Sequence, residues 1–355
     1  MIGRRALVTA LAGAAAPRSG AAQAGVATIA FLGDIMLGGD VGVALARHPP
    51  EWLWGDALPV LQAADAAIAN LEAPLTEAGL PQSRTPKWHH FRAAPAAVAV
   101  LRAAGIRAVC LANNHVLDYR EAGLAETRRV LAEAQIAAVG AGQTLAEAAA
   151  PAILDLPRLR IGLVGATDAL SAYAAGPDRA GVNRIEIRGD SAALPGLAGA
   201  AAAMDAAGVR LRILSLHWGP NFRRLPFDRS RAFARAALAA GFDVIHGHSA
   251  HILHGVEAIG RGVVLYDTGN AIDDYWDVPF FAQDWGCIFL LDLQEGRPVR
   301  LRLVPILTRP WPIRLPTGRQ RQAMQARMRR ASTGFGTRLR ETPEGLELHL
   351  ATGGG

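Results

Sequence analysis

Four of the ten histidines, His246, His248, His251 and His254, fall within the fifteen residues from Gly241 to Gly255, directly after the mostly apolar run Phe242–Ile245. Neutral imidazole is the side chain most often used to bind metal ions. A glycine such as Gly247 lets the backbone turn tightly and approach a ligand. A strand that ends in Gly-His therefore sets imidazoles at the mouth of a sheet. Three further segments share this design: Ile29–Asp34 (IAFLGD), Val109–His115 (VCLANNH) and Leu211–Gly219 (LRILSLHWG). Each is an apolar run that stops at polar, ligand-type residues. One such segment is a weak signal, but four of one pattern imply one site gathered at strand ends.

Each candidate also has a plainer reading. Asp34 follows a strand and a glycine, where it serves either a metal or the cap of the next turn. Asn70 and Glu72 close the short run that starts at Asp65. Alternation sets them on the same side of an extended chain as two oxygen donors. Asn113, Asn114 and His115 lie between a strand and a helix, where asparagine suits a turn as well as a site. His217 ends its strand beside Trp218, Gly219, Pro220 and Asn221, a position that favours a site over a packed core imidazole. The stretch Lys87-Trp88-His89-His90-Phe91-Arg92 joins two cations and two imidazoles in a loop. It reads either as a solvated loop or as an anion clamp. Arg92 is its best candidate, because guanidinium binds carboxylate or phosphate in bidentate fashion.

The elements that must position these groups alternate along the chain. A strand over Val26–Gly33 is followed by a helical pattern over Trp52–Ala64 and a strand from Asp65. Pro95 opens a helix at its favoured first position. A strand over Ile106–Ala112, a helix over Glu121–Ala134, an Ala-rich helix over Leu194–Ala207, a strand over Val209–Leu216 and a helix over Arg229–Ala240 follow. Two hairpins come late: Val256–Ile259 with Val263–Tyr266 around Gly260-Arg261-Gly262, and Cys287–Leu291 with Val299–Ile306 around Glu295-Gly296. This order implies mixed sheets with helices outside. Thr317–Arg330 reads as a basic, solvated helix, the alternative being contact with an anionic surface.

At 355 residues, 51% hydrophobic and 19% charged, the chain is globular and can bury a large core. Its net charge of +6 is carried almost wholly by arginine, because Lys87 is the only lysine. The basicity belongs to a chain-wide alanine and arginine bias and shows no basic–aromatic interleaving, so nucleic acid is not an expected partner. Cys110 and Cys287 sit in apolar runs and read as buried small hydrophobes, not as a disulfide or zinc pattern. Arg4 and Arg5, the apolar run Ala6–Ala16 and the Ala22-Gln23-Ala24 end have the order of an export signal over residues 1–24. The twin arginines fit a Tat-type signal. The expected location is periplasmic or secreted; a disordered Ala-rich leader on a cytoplasmic protein is the alternative. The apolar run is too short to span a bilayer.

At its strand ends the chain resembles the CapA capsule-synthesis family, also called the poly-gamma-glutamate synthesis family, of the calcineurin-like metallophosphoesterase superfamily. The motifs are Gly33-Asp34 with Met36-Leu37-Gly38, Asn70-Leu71-Glu72, Asn113-Asn114-His115, His217-Trp218-Gly219, Gly247-His248 with His251, and Tyr266 with Gly269-Asn270. They run in family order from Val26 to Leu307. The resemblance implies an α/β fold, a four-layer α-β-β-α sandwich with mixed sheets, over residues 25–315. A basic helix and tail over 316–355 would follow it. It implies one or two divalent transition-metal ions (manganese, iron or zinc) on Asp34, Asn70, Glu72, Asn114, His217, His248 and His251, a mixed O and N set without thiolate. It implies catalytic roles for His115 and Asn113, with His115 giving a proton to the leaving group or steadying the transferring phosphoryl. Arg92, Lys87, Asn221 and Asn270 would contact substrate. Met36 stands where the superfamily has a histidine, and Asn70 or Glu72 must serve where its second motif has an aspartate; these two departures imply a weakened or altered first metal position. Asn221 lies where the family has a glutamate near HWG, and His248 and His251 are three apart instead of two. The expected function is a metal-dependent hydrolase of the phosphoesterase type in capsule or poly-gamma-glutamate synthesis, acting on a phosphoester or anionic polymer beside capsule-synthesis membrane proteins. The alternative is a non-catalytic subunit that holds an anionic polymer. An amide hydrolase on the same metal site is a third reading.

Overall fold

Along Val26–Ile35 the side chains divide between two environments. Ile29 and Phe31 belong to one apolar layer, Ala30 and Leu32 to another, as the period of two in a strand requires. The computed structural model describes residues 25–188, 194–275, 278 and 280–351, so the expected leader over 1–24 lies outside them. The larger sheet runs Arg340–Glu341, Leu346–His349, Arg297–Leu307, Trp285–Gln294, Val26–Ile35, Ala66–Leu71, Ile106–Cys110, Ala137–Val139, with Asn270–Ile272 beside the end of Val26–Ile35. The second sheet runs Val256–Ile259, Gly262–Leu265, Val244–His248, Leu211–His217, Leu159–Thr167, Ala152–Leu156. Both are mixed: parallel strands on one side of the first and in the centre of the second, with antiparallel hairpins at the edges.

Three apolar layers hold these sheets in a four-layer sandwich. Ile29, Phe31, Ile68 and Phe289 of the first sheet meet Ile161, Leu163, Ile213 and Val244 of the second. The outer face of the first sheet packs Leu32, Ala69 and Val109 against Trp54, Leu101, Leu124 and Leu131. The outer face of the second packs Val164, Leu214 and Ile245 against Leu197, Met204 and Phe233. Both expected hairpins form. The region expected as one helix over Trp52–Ala64 is instead a 3-10 stretch, Pro50–Ala57, and a short helix, Leu58–Gln62, with Gly55 at φ +43° interrupting the helical path inside the first. The C-terminal helix, Gly318–Thr333, buries Met324 and Met328, and the strand after it, Leu346–His349, pairs with Arg297–Leu307 in the larger sheet.

The parallel strands of an α/β sheet open a crevice at their carboxyl ends, and here both sheets contribute ends to it. Asp34 is the register partner of Asn70 across one parallel pair, and His217 of His248 across another. The turn Asp267–Asn270 crosses against the first strand, where Asp34 N–H donates to the Gly269 carbonyl at 2.9 Å. A Cβ on Gly33 would lie 1.8 Å from that carbonyl oxygen. Gly33→Ala is therefore expected to push the turn off the strand and destabilise the fold by more than about 2 kcal/mol. A urea unfolding midpoint equal to that of the unaltered chain would contradict this.

Candidate functional site

Asp34 is fully buried where the two sheets meet. Its Oδ1 accepts from Asn70 Nδ2 at 2.8 Å and lies 3.8 Å from His248 Nδ1. Its Oδ2 accepts no hydrogen bond, yet His251 Nδ1 stands 3.2 Å away. Glu72 is buried beside it. Tyr275 O–H donates to Glu72 Oε2 at 2.9 Å, while Oε1 accepts no hydrogen bond and lies 3.7 Å from His217 Nε2. His217 Nδ1 and His248 Nδ1 face each other at 3.0 Å, and His217 Nε2 lies 2.9 Å from Asn114 Oδ1. Two donor sets result, Asp34 with His217 and His248, and Asp34 with Glu72 and His251, each with its ligand atoms within 4.8 Å of one another. Asp34 belongs to both.

A buried carboxylate oxygen without a donor is rare and costly, and this site holds two. Two ring nitrogens that face each other can share only one proton. Oxygen and imidazole donors without thiolate suit a divalent transition-metal ion, so the residues present fit such an ion. The next layer of contacts orients them, as such layers do around metal ligands. His246 Nε2–H donates to the Leu32 carbonyl at 2.8 Å, and Ser215 Oγ sits 3.1 Å from His246 Nδ1 and 3.0 Å from His248 Nε2. Asp267 accepts from Ala250 N–H at 2.7 Å and Gly269 N–H at 2.9 Å, which clamps the turn carrying His251. Ser249 and His251 in that turn adopt φ +117° and +57°, a strain of order 1–3 kcal/mol each that surrounding contacts must hold.

A second group flanks the cluster. His115 Nδ1–H donates to Asp118 Oδ2 at 2.7 Å. Lys87 Nζ donates to Asp118 Oδ1 at 2.6 Å and to the Asn114 carbonyl at 2.8 Å. Phe91 stacks on His115 with ring centroids 3.9 Å apart and on Tyr275 at 5.3 Å. Tyr275 meets His251 edge-on at 5.0 Å, so an aromatic wall joins the two groups.

Burial shifts these groups strongly. It would raise the Asp34 carboxyl, but the nearby His251, which carries the positive charge, outweighs it and holds Asp34 well below the usual carboxylate range. Burial and the Asp34 charge push Glu72 up to about 8. Burial opposes a charge on His251, but Glu72 and Asp34 raise it to about 10. Burial lowers His217 to about 3 and His115 to about 4, and pushes His248 well down. The positive charge thus sits on His251, and His217 and His248 are neutral, the state in which imidazole binds metal.

The structure gathers Asp34, Asn70, Glu72, Asn114, His217, His248, His251 and Asn270, the last with Oδ1 3.0 Å from His251 Nδ1. Several sequence expectations need correction. Asn70 turns its nitrogen to Asp34 and its oxygen to Asn113 Nδ2, so in this orientation it is a donor that braces Asp34. Asn113 is spent on bracing as well: its Nδ2 also reaches the Leu71 carbonyl, and its Oδ1 accepts from His115 N–H and Val116 N–H. Lys87 is tied inward to Asp118 and does not form an open anion clamp. Arg92 is exposed, its guanidinium 5.0 Å over the Tyr119 ring, and Asn221 is exposed; neither joins the cluster. Met36 is buried with its sulfur accepting Gly38 N–H at 3.0 Å. Asp118, Tyr275, Asp267 and Phe91 were not assigned to the site from sequence. Asp118, three residues after His115, was the one with a readable signal.

Residues 28–275 match the family described as bacterial capsule synthesis protein PGA_cap. The chain is 31% identical over 311 residues to a probable polyglutamine synthesis accessory protein of Mycobacterium tuberculosis, covering 83% of this chain and 80% of that one. It is 28% identical over 289 residues to the capsule biosynthesis protein CapA of Bacillus anthracis, covering 76% and 68%. A crystal structure described as a novel phosphatase from Mycoplasma pneumoniae has the same fold, with a TM-score of 0.50 at 11% identity over 79% of this chain and 94% of that one. The chain belongs to the PGA_cap capsule-synthesis family, and it shares its fold with that phosphatase.

The proton inventory of the site gives a pH dependence. His251 is raised from 6.5 to about 10, so its contribution to stability is full below pH 6.5 and is lost as pH rises toward 10. Glu72 is raised from 4.5 to about 8 and acts in the same direction between those values. Metal-free protein is expected to lose stability between pH 6.5 and 10, and a divalent ion should restore it by replacing the departing protons. Melting temperatures across that range, with and without metal, check this; a flat metal-free profile contradicts it.

Proposed function

We propose that this capsule-synthesis family member is an exported metal-dependent hydrolase of the phosphoester type, working with the membrane proteins of capsule or poly-gamma-glutamate synthesis. The observation that carries this reading is a pair of buried carboxylate oxygens that accept no hydrogen bond, Asp34 Oδ2, 3.2 Å from His251 Nδ1, and Glu72 Oε1, 3.7 Å from His217 Nε2. One or two ions of manganese, iron or zinc would be held by Asp34, Asn114, His217 and His248 on one side and by Asp34, Glu72 and His251 on the other. When bound, such ions stabilise developing charge on a phosphoryl oxygen and lower the pKa of water.

The chain's own residues supply the rest. Asn70 and Tyr275 each occupy one oxygen of Asp34 and Glu72, which leaves the other oxygens turned to the cleft. Asp118 holds the Nδ1 proton of His115 and so directs Nε2 to the reaction. Burial lowers His115 to about 4, so its imidazole is neutral at pH 7. An anionic substrate beside it raises its proton affinity, so His115 takes up a proton on substrate arrival and returns it to the leaving oxygen. Phe91 and Tyr275 line the cleft with aromatic surface that limits water there.

A binding subunit without turnover is the second reading. Met36 favours it, because its sulfur is spent on Gly38 N–H where the superfamily has an imidazole. Release of p-nitrophenol from mono- and bis-(p-nitrophenyl) phosphate by the metal-loaded protein, alongside hydrolysis of a gamma-glutamyl amide, separates the readings. The hydrolase reading expects turnover that falls about 10²–10⁴-fold in His115→Ala, with metal content unchanged. Turnover that survives His115→Ala, or a metal-loaded protein inert toward every probe, would overturn it.

A further inference from the structure

Beyond His251 the cleft wall carries charges that hydrolysis at the metal site does not use. Phe222 lies with its ring 6.0 Å from His251 and 5.4 Å from Phe281. Arg224 sits 5.3 Å over the Phe281 ring and donates to the Phe280 carbonyl at 3.1 Å. Arg327, from the C-terminal helix, donates to the Phe281 carbonyl at 3.2 Å. Arg223 and Arg229 stack on Phe227 at 3.7 Å and 4.0 Å.

Among the described residues none of these four guanidinium groups pairs with a carboxylate. Arg231 and Arg235, further along the same segment, share Glu257. Arg327 is partly buried and also feels the charges of Arg224 and Arg330. The charge of Arg229 acts on the Asp168 carboxyl, but no described carboxylate forms an ion pair with any of the four, and like charges gathered in this way oppose folding. Phe227 and Phe281 hold the guanidinium planes of Arg223, Arg229 and Arg224, and the N–H groups of the four arginines that are not spent on the Phe280 and Phe281 carbonyls remain for anionic acceptors. Phe280, 91% exposed, and Leu225, 58% exposed, add an apolar rim. Phe222 makes this patch continuous with the metal cleft through His251.

We propose that Arg223, Arg224, Arg229 and Arg327 form an anchoring track for an extended linear polyanion, a polymer with a carboxylate or phosphate on successive units, one unit of which reaches the Asp34–His251 cleft. The anchoring depends on the arginines alone; what happens to the unit in the cleft rests on the hydrolase reading above. Several weak contacts to one chain add through high local concentration, so the track selects long chains over single units.

The full chain, with and without bound metal, is titrated with polyglutamate, polyphosphate, free glutamate, inorganic phosphate and vesicles of anionic phospholipid. Polymer binding is expected to exceed that of either monomer, to weaken with salt, and to fall about tenfold in Arg224→Gln/Arg327→Gln. A second variant, Arg223→Gln/Arg224→Gln/Arg229→Gln, changes only exposed residues and guards against a folding defect at Arg327. Both should keep their metal content, and Arg128→Gln/Arg129→Gln, whose arginines already pair with Glu147 and Glu133, should bind as the unaltered chain does. The polymer that binds identifies the charged group. The proposal is overturned if monomers bind as tightly as polymers, if vesicles bind and polymers do not, or if both arginine variants bind undiminished. Arginine-dependent polymer binding by a chain that takes no metal would sink the hydrolase reading and leave the track standing. Metal uptake without polymer binding would do the reverse.

Discussion

A carboxylate taken wholly out of water must be met by positive charge or by hydrogen-bond donors, and Asp34 is met by the Asn70 amide and the charged His251, with His248 beside it. Its two oxygens point to different partners, one toward Asn70 and His248, the other toward His251. Everything around it follows from keeping that arrangement. Gly33 lets the Asp267–Asn270 turn close onto the first strand, and Asp267 pins the turn from which His251 projects. His246 ties the second sheet to the first through the Leu32 carbonyl, at the depth of the site. The sandwich therefore does more than bury apolar surface. It brings a carboxylate from one sheet and imidazoles from the other to a distance that neither sheet reaches alone.

The same logic explains why so many nearby polar groups are not free to act. Asn70, Asn113, Ser215 and Asp267 use their hydrogen-bonding capacity on the protein itself, and each fixes a neighbour that faces the cleft. Lys87, the only lysine of the chain, belongs with them. A compact ammonium with three donors fits between the Asn114 carbonyl and Asp118, where a planar guanidinium would not. Such groups are costly to leave half-satisfied, so alteration of one is felt at the residues it holds.

Much of the fold and centre was legible in the sequence, because strand ends are local features. An apolar run that stops at a polar residue says which side chain sits at the mouth of a sheet, and Asp34, His217 and His248 stand at such strand ends, with His251 in the turn that follows. Hairpin turns were read from glycine spacing for the same reason. What failed was the direction of loop side chains. Arg92 and Lys87 are five residues apart in one loop, yet Arg92 leans on Tyr119 outside and Lys87 turns inward. Nothing in local spacing separates those outcomes. Asn221 was an expectation from motif position, and the residue that turns to the cleft is its neighbour Phe222. Tyr275 reaches Glu72 across 203 positions of sequence, a contact that only the closed sandwich defines.

The central claim is that two donor sets share one carboxylate. Equilibrium dialysis against manganese or zinc, followed by elemental analysis, tests it on the unaltered chain, Glu72→Gln and Asp34→Asn. The account predicts about two ions per chain in the first, one in Glu72→Gln and none held tightly in Asp34→Asn, with all three folded. Metal binding that persists in Asp34→Asn, or an unaltered chain that takes up none, would contradict it.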